Sequence, residues 1–272
     1  MNKRGDIWMK ALAENGQIVT GFSPSVQVVD DQFNGLPVRY INVTQDLNNP
    51  FPRARNGEVG LLEGWNVAKA VRQVVERDQD SHSKSIIVAV IDVPSQAYGR
   101  REEAYGIHLS LAAAANAYAQ ARKAGHPVLG LIVGKAMSGG FLAHGYQASR
   151  LIALDDEQCS VHAMGKASAA KVTLRTVEQL ESLAAEHPPM AYDINNYNTL
   201  GLLWKLVSVE SAQQPSNQDI DHIRSLFFCG IGRYPSKRQW LVSSPERGEQ
   251  TSNPSYSRAD ATSLECIRVT GG

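Results

Sequence analysis

Ser138, Gly139 and Gly140 have types and spacing that could do chemistry, because they lie between an apolar run and a predicted helix. Two adjacent glycines at a helix start let a second backbone come close, and the first N–H groups of the helix have no acceptor within it. These groups point outward with the positive end of the helix dipole. The pattern therefore indicates a site for an anionic oxygen, such as that of a thioester becoming an enolate. Glycine content alone also permits a pair that serves only tight packing of helix on strand.

Ser138 allows a second interpretation. Residues 136–140 come close to the A-x-S-x-G nucleophile elbow, which would make the chain a serine hydrolase or acyltransferase with Ser138 as nucleophile. An elbow also needs an acid and a histidine, and His162, His187 and His222 are candidates in contexts typical of surface or capping histidines. His144 follows the glycines by one helical turn, so it could reach the mouth of a pocket or be a partly exposed structural residue.

Charge and apolar runs exclude several classes of protein. Lys and Arg together number 27, and Asp and Glu together also number 27, so the formal net charge is zero. No net positive charge would therefore attract nucleic acid or an anionic membrane. The apolar stretches are far shorter than the roughly 20 residues needed to cross a bilayer, and no secretion signal follows the N-terminal charges. We therefore expect a cytoplasmic protein with neither partner. No metal-binding motif or cluster with ligand spacing occurs, so no metal site is expected.

The elements around the glycines alternate between strand and helix. The pattern predicts strand, helix, strand, tight turn, helix and strand over residues 85–92, 102–123, 128–133, 134–140, 141–148 and 150–154. Such alternation favours parallel strands joined by right-handed crossovers, which makes the chain an α/β protein. The loops at residues 92–101 and 134–140 should then lie together at the carboxyl edge of the sheet.

The rest of the chain predicts flanking elements and a tail. Alternating residues 25–43 around Asn34-Gly35 predict an antiparallel hairpin, and residues 62–78 a helix. Further helices should begin after Thr176 and after Ser216. We expect one domain over residues 1–242, followed by a polar, weakly ordered or partner-dependent tail over residues 243–272.

Both loops resemble the carboxyltransferase signature of the crotonase-like superfamily. In that family a D-x-P-G-x-x-x-G-x-x-x-E loop precedes a helix, and a strand then ends in G-x-x-x-S-G-G. Here Asp92-Val93-Pro94, Gly99 and Glu103 precede an alanine-rich helix, and the second motif is residues 134–140. The likeness spans about residues 86–171. The chain departs from the pattern at Pro94-Ser95, where the family usually has Pro-Gly. The resemblance implies a crotonase (ClpP-like) ββα superhelix.

Within that superfamily the chain is similar to the gamma subunit of biotin-independent malonate decarboxylase, through residues 136–138 and 161–166. The resemblance implies that the chain forms, with a beta subunit, a site that decarboxylates a malonyl thioester. That thioester would be carried on the CoA-like (phosphoribosyl-dephospho-CoA) arm of an acyl carrier (delta) subunit, which a transferase (alpha) subunit loads. No cofactor would bind this chain directly. A chain that only completes the pocket of a catalytic beta subunit is a further alternative.

The resemblance also assigns site residues. The backbone N–H groups of Gly139 and Gly140, beside Ser138, would be the catalytic donors. Substrate would be bound by the loop opposite them and by residues of the turn, namely Ser95, Gln96, Ala97, Tyr98, Gly99, Arg100, Lys135 and Met137.

Overall fold

The computed structural model of the chain describes residues 3–231. The chain divides at Arg224 into two units, Met1–Arg224 and Ser225–Gly272. The boundary expected at residue 242 and the tail expected over residues 243–272 lie outside the described residues.

The first unit is built on one mixed sheet. Its described strands are β1 (Gln17–Ile18), β2 (Val26–Phe33), β3 (Leu36–Val43), β4 (Ile86–Val93), β5 (Val128–Met137), β6 (Arg150–Leu154), β7 (Ser160–His162) and β8 (Lys205–Val207). They lie in the order β1-β2-β3-β4-β5-β6-β8, and β7 pairs with the end of β5. The first three strands pair antiparallel, whereas every pairing from β3 onward is parallel. The central strands β4 and β5 are almost wholly buried, as expected where helices cover both faces of parallel strands.

Helices cover the sheet and cap its carboxyl edge. The described α-helices are α1 (Arg4–Leu12), α2 (Leu61–Arg77), α3 (Arg100–Ala104), α4 (Ile107–Lys123), α5 (Ser138–Ala143), α6 (Lys166–Val172), α7 (Val177–Glu186), α8 (Ile194–Thr199) and α9 (Asn217–Ile231). The long helices α2 and α4 pack closely, because Gly64 of α2 leaves room for the Ser110 side chain of α4. Helix α1 contacts β3, β4 and β5. No described helix has the length and apolar content that a membrane crossing requires.

Several predicted elements are confirmed. The hairpin of β2 and β3 turns at Asn34 and Gly35, whose φ values of 49° and 77° are those of a two-residue turn with positive φ. Strands β4, β5 and β6 are parallel neighbours in the predicted order. Helix α7 begins at the predicted capping box of Thr176 and Gln179.

Predicted bounds are wrong at two places in the chain. The helix predicted over residues 102–123 is two helices, α3 and α4, because Gly106 has a φ of 79° and interrupts the helical backbone. The tight turn predicted over residues 134–140 does not form. Strand β5 continues to Met137, and α5 begins directly at Ser138 rather than at residue 141.

Candidate active site

A bulge at the end of β5 sets the position of the Ser138–Gly140 segment. Ile91 pairs with Ile132, but Val93 pairs with Ala136, so β5 has two more residues than β4 in this interval. The extra backbone of residues 133–135, called here the bulge, is bonded by side chains. Lys135 N donates to Asp92 Oδ1 at 3.1 Å, and Arg4 Nη1 donates to the carbonyl of Val133 at 3.3 Å. These two backbone groups of the bulge are therefore paired while β5 continues to the start of α5.

Arg4 and Asp92 tie α1 to the bulge. Arg4 is buried and also donates to Asp156 Oδ1 at 2.6 Å. Burial of Asp156 would raise its pKa, but hydrogen bonds from Arg4 and the Gln158 amide lower the pKa below its ordinary value. Asp92 Oδ2 accepts a longer bond, 3.4 Å, from Gly5 N in α1. The position of the bulge thus depends on the N-terminal helix.

The two predicted loops meet at Gly139 and Gly140. A Cβ on Gly140 would lie 2.5 Å from the carbonyl oxygen of Ser95, and a Cβ on Gly139 would overlap the Gln96 side-chain oxygen. Both glycines therefore permit the close approach of residues 94–99, called here the site loop. The packing role suggested by glycine content alone is real, and it is compatible with a role for the amides.

The first amides of α5 lack partners outside the helix. The N-cap residue Met137 makes no side-chain cap, and within residues 3–231 no acceptor outside α5 is found for the N–H groups of Gly139 and Gly140. Gly139 is half-buried and Gly140 is buried. Amides so arranged at a helix start can donate to an anionic oxygen.

The site loop is held by a short bridge that the sequence did not indicate. Val59 N donates to the carbonyl of Ser95 at 3.1 Å, and Ala97 N donates to the carbonyl of Val59 at 2.9 Å. Ala97 is buried in an apolar cluster with Ala54, Leu61 and Ile107. Residues 49–60, called here the 49–60 segment, thus lie directly behind the site loop. Its Pro and Gly content marks a loop but gives no pairing partner.

The predicted substrate-binding residues differ in exposure. Ala97 and Met137 are buried, which makes their side chains part of the core; Ser95, Gln96 and Gly99 are half-buried; Tyr98, Arg100 and Lys135 are exposed. Of these residues, Ser95 and Gln96 are brought against Gly139 and Gly140. The exposed side chains of Tyr98, Arg100 and Lys135 are free to meet a ligand from solution.

Ser138 is strained but is not paired with a histidine. Its φ is 58°, a left-handed value that costs a residue with a side chain about 1 kcal/mol or more, and its Oγ donates to the carbonyl of Ala163 at 2.9 Å. His162 stacks on Tyr192 with ring centroids 3.8 Å apart, and its Nδ1 accepts from Met164 N. The serine is thus occupied by a carbonyl acceptor, and the geometry does not favour the hydrolase alternative.

His144 is not at a pocket mouth, contrary to the option suggested by its spacing. Its ring is fully buried, with Nδ1 3.0 Å from Tyr118 Oη and Nε2 3.0 Å from the carbonyl of Val90. Burial lowers the pKa of His144 to about 4, although the Val90 carbonyl opposes the shift. A neutral ring that accepts from Tyr118 and donates to Val90 satisfies both contacts, so His144 is a structural residue.

Metal ligands and clefts elsewhere in the described residues do not add to this site. Among the described residues, no three His, Cys, Asp or Glu side chains are grouped so that they could hold a metal ion. A cleft of about 620 Å³ lies between α1 and the start of α9, and one of about 280 Å³ lies between α7 and α8. Neither cleft is lined by the glycine pair or the site loop.

Comparison with known proteins gives consistent matches. The family model described as "Malonate decarboxylase gamma subunit" matches residues 54–226. A protein of Malonomonas rubra, "Malonyl-S-ACP:biotin-protein carboxyltransferase MADD", is 35% identical over 188 residues, which are 68% of this chain and 64% of that protein. The match therefore spans less than two thirds of the length of this curated relative.

Solved structures agree in fold. A chain of a Pseudomonas malonate decarboxylase hetero-tetramer in complex with coenzyme A is 49% identical, with a TM-score of 0.83 over 98% of this chain and 99% of that one. A transcarboxylase 12S chain is 15% identical, with a TM-score of 0.63 over 90% of this chain and 43% of that one, and shows likeness of fold alone. The predicted crotonase-like carboxyltransferase fold is confirmed. With the family match covering well over half of its length, the chain belongs to the malonate decarboxylase gamma subunit family.

Proposed function

We propose that this chain is the gamma subunit of a malonate decarboxylase, a carboxy-lyase, and that it contributes donors to the site that decarboxylates a malonyl thioester. The observation that supports the proposal most directly is the pair of amides at Gly139 and Gly140, which have no acceptor outside α5 in the described residues. The Pseudomonas relative, which is a malonate decarboxylase and was solved with coenzyme A, supports the reaction and the thioester class.

The reaction needs an electron acceptor at the thioester carbonyl. When the bond between the carboxylate and the methylene carbon breaks, carbon dioxide leaves and the electron pair forms an enolate whose oxygen becomes negative. The N–H groups of Gly139 and Gly140 would donate to that oxygen, stabilising charge that develops in the transition state. A proton then adds at the methylene carbon and yields the acetyl thioester. Ser138 would position the first turn of α5 through its bond to Ala163.

Substrate groups would be held around this pair. The half-buried Ser95 and Gln96 lie against the glycines, and Gly99 ends the same loop. The exposed Arg100 and Lys135 would provide cations for the departing carboxylate or for phosphates of the carrier arm. The MADD relative acts on malonyl-S-ACP, which supports an acyl carrier (delta) subunit as the bearer of the thioester. We assign the arm to the phosphoribosyl-dephospho-CoA type.

The site is proposed to be composite. The Pseudomonas relatives are chains of a hetero-tetramer and of an MdcD-MdcE hetero-dimer, which supports assembly of this chain with a beta subunit. We propose that the acyl carrier (delta) subunit and a transferase (alpha) subunit complete the assembly. If the chain only completed the pocket of a catalytic beta subunit, removing its donors would not affect turnover. We propose that the complex acts in the cytoplasm, in malonate catabolism.

A matched pair of substitutions at Gly139 tests the donor role. A Cβ there would overlap only the end of the Gln96 side chain, which can move, and would make an ordinary contact with Leu111, whereas a Cβ on Gly140 would overlap the Ser95 backbone. Gly139→Ala adds the Cβ and keeps the N–H, while Gly139→Pro also deletes the N–H. In the assembled complex we expect Gly139→Pro to lower turnover of malonyl carrier thioester by about 10²–10³-fold relative to Gly139→Ala. Equal turnover of the two variants in an intact complex would reject the donor assignment.

A further inference from the structure

The carboxyl group of Glu63, in the first turn of α2, is fully buried and is not part of the surface of the candidate site. Its Oε1 accepts from Ser25 Oγ at 2.5 Å and from Asn49 Nδ2 at 2.7 Å, and its Oε2 accepts from Gly60 N at 3.0 Å. Burial raises the pKa of Glu63, and these hydrogen bonds oppose that rise. Burying a carboxyl group costs free energy that an apolar side chain of the same size would not, so packing alone does not account for this residue.

The partners of Glu63 lie on the segment behind the site loop. Asn49 and Gly60 mark the two ends of the 49–60 segment, and Asn49 Oδ1 also accepts from Phe51 N. Gly60 follows Val59, whose N–H and carbonyl bond Ser95 and Ala97 of the site loop. A Cβ on Gly60 would lie 2.9 Å from Glu63 Oε2 and 3.0 Å from Ala97 Cβ, so Gly60 is enclosed between Glu63 and the loop.

Helix α4 also holds the backbone at Gly60. Ser110 of α4 donates to the carbonyl of Leu61 at 2.8 Å and lies 3.3 Å from the carbonyl of Gly60. The N–H group of Gly60 is thus bonded to Glu63 of α2, and the carbonyl groups of Gly60 and Leu61 lie against Ser110 of α4. Val59 has little freedom to move, and the site loop that pairs with it is placed against Gly140 through the Ser95 carbonyl.

We propose that Glu63 is a positioning residue, which, through Asn49, Gly60 and Val59, holds the site loop against Gly139 and Gly140 without touching substrate. The inference rests on the proposed function, because it assigns Glu63 a role in turnover at that site. Loss of the two hydrogen bonds at opposite ends of the 49–60 segment should loosen the Val59 bridge and let the loop move away from the glycines. A shift of about 1 Å in a reacting group can cost about 10²-fold in rate.

The test uses three variants of the full chain. Glu63→Met keeps the side-chain volume and removes both acceptors, and Glu63→Gln, the milder change, keeps one acceptor oxygen. The matched control is Ser25→Ala, which removes a donor to the same carboxyl group but leaves Asn49 and Gly60 bonded. Hydrogen exchange at the Val59 and Ala97 amides measures the bridge, and kcat and KM of the assembled complex measure the site.

We expect exchange of the Val59 and Ala97 amides to be about tenfold faster in Glu63→Met, less so in Glu63→Gln, and unchanged in Ser25→Ala. Turnover should follow the same order, with kcat of Glu63→Met lowered by about 10–100-fold and KM within about threefold of the original value. Unchanged exchange in folded Glu63 variants, or faster exchange with normal kcat, would overturn the inference while the proposed function stands. Absence of decarboxylation by the unsubstituted complex would overturn the proposed function and, with it, the role of Glu63 in turnover.

Discussion

Ser138 shows how a single residue can satisfy two patterns at once. Its place between a strand and a helix, with a φ of 58°, has the backbone geometry expected of a nucleophile elbow. Its hydroxyl, however, donates to the Ala163 carbonyl, so the side chain fastens the start of α5 to the residue that follows β7. The strain at this position is offset by a local hydrogen bond, and both can be measured.

Substitutions of Ser138 separate strain from chemistry. Ser138→Ala loses the hydrogen bond and keeps the strain, so we expect the free energy of unfolding to fall by about 1 kcal/mol. Ser138→Gly loses the same bond but relieves the left-handed backbone, so its stability should stay within about 0.5 kcal/mol of the original. Denaturant unfolding measures both values.

The same two variants decide the nucleophile question. Because both variants keep the N–H donors and lose only the hydrogen bond that positions the first turn of α5, turnover of the malonyl thioester in the assembled complex should fall by no more than about tenfold, far less than loss of a nucleophile would cost. Labelling of the original chain at Ser138 by a fluorophosphonate, together with loss of activity in both variants, would instead establish the hydrolase alternative.

At the scale of elements, the sequence predicted what depends on local pattern. The β-branched run of β4, the Asn34-Gly35 turn and the capping box of α7 are encoded by neighbouring residues, and all are present. The bulge in β5 was not predicted, because its polar groups are bonded by Asp92 and by Arg4, more than a hundred residues away in sequence. Helix α1 was missed for the related reason that its buried residues are explained only by the sheet against which it packs.

The placement of the two loops at the candidate site was predicted to a similar degree. Motif order placed residues 92–101 and 134–140 at one edge, and the structure brings them together. The motif could not predict what holds the site loop from behind, namely the hydrogen bonds of Val59 and the buried carboxyl group of Glu63. Both depend on the packing of α2 on α4. The sequence gives no pattern for such long-range contacts.

The dependence of the bulge on α1 leads to a prediction about stability. Arg4→Met removes the donor to both the Val133 carbonyl and Asp156, leaving these acceptors in a largely buried setting. We expect the free energy of unfolding to fall by about 2–3 kcal/mol. Lys10→Met, on the exposed face of the same helix, is the control and should change it by less than about 0.5 kcal/mol. Equal losses from the two variants, measured by urea unfolding, would show that Arg4 does not secure the bulge.

For the whole molecule, His144 joins three elements of the fold. The residue follows α5, its ring bonds Tyr118 of α4, and it also bonds the carbonyl of Val90 in β4. A neutral imidazole satisfies both contacts, whereas a protonated ring would turn a second N–H toward the Tyr118 hydroxyl and place a charge in the core. The buried contact thus couples the packing of sheet and helices to pH.

The sign of that coupling follows from the pKa of His144, which burial lowers from 6.5 to about 4 in the folded chain. Between these values the unfolded chain binds the proton and the folded chain does not, so stability falls as pH falls from about 6.5 to about 4. We expect His144 to contribute about 3 kcal/mol to that loss. In His144→Asn this contribution is absent. We expect the variant to have a lower free energy of unfolding than the original chain at pH 7. Between pH 6.5 and pH 4, however, its free energy of unfolding should fall by about 3 kcal/mol less than that of the original chain. Burial also lowers the pKa of His126 and His162, but these residues titrate in both proteins, so the difference isolates His144. Parallel curves of unfolding free energy against pH for the two proteins would show that His144 is not the group that couples the core to acid.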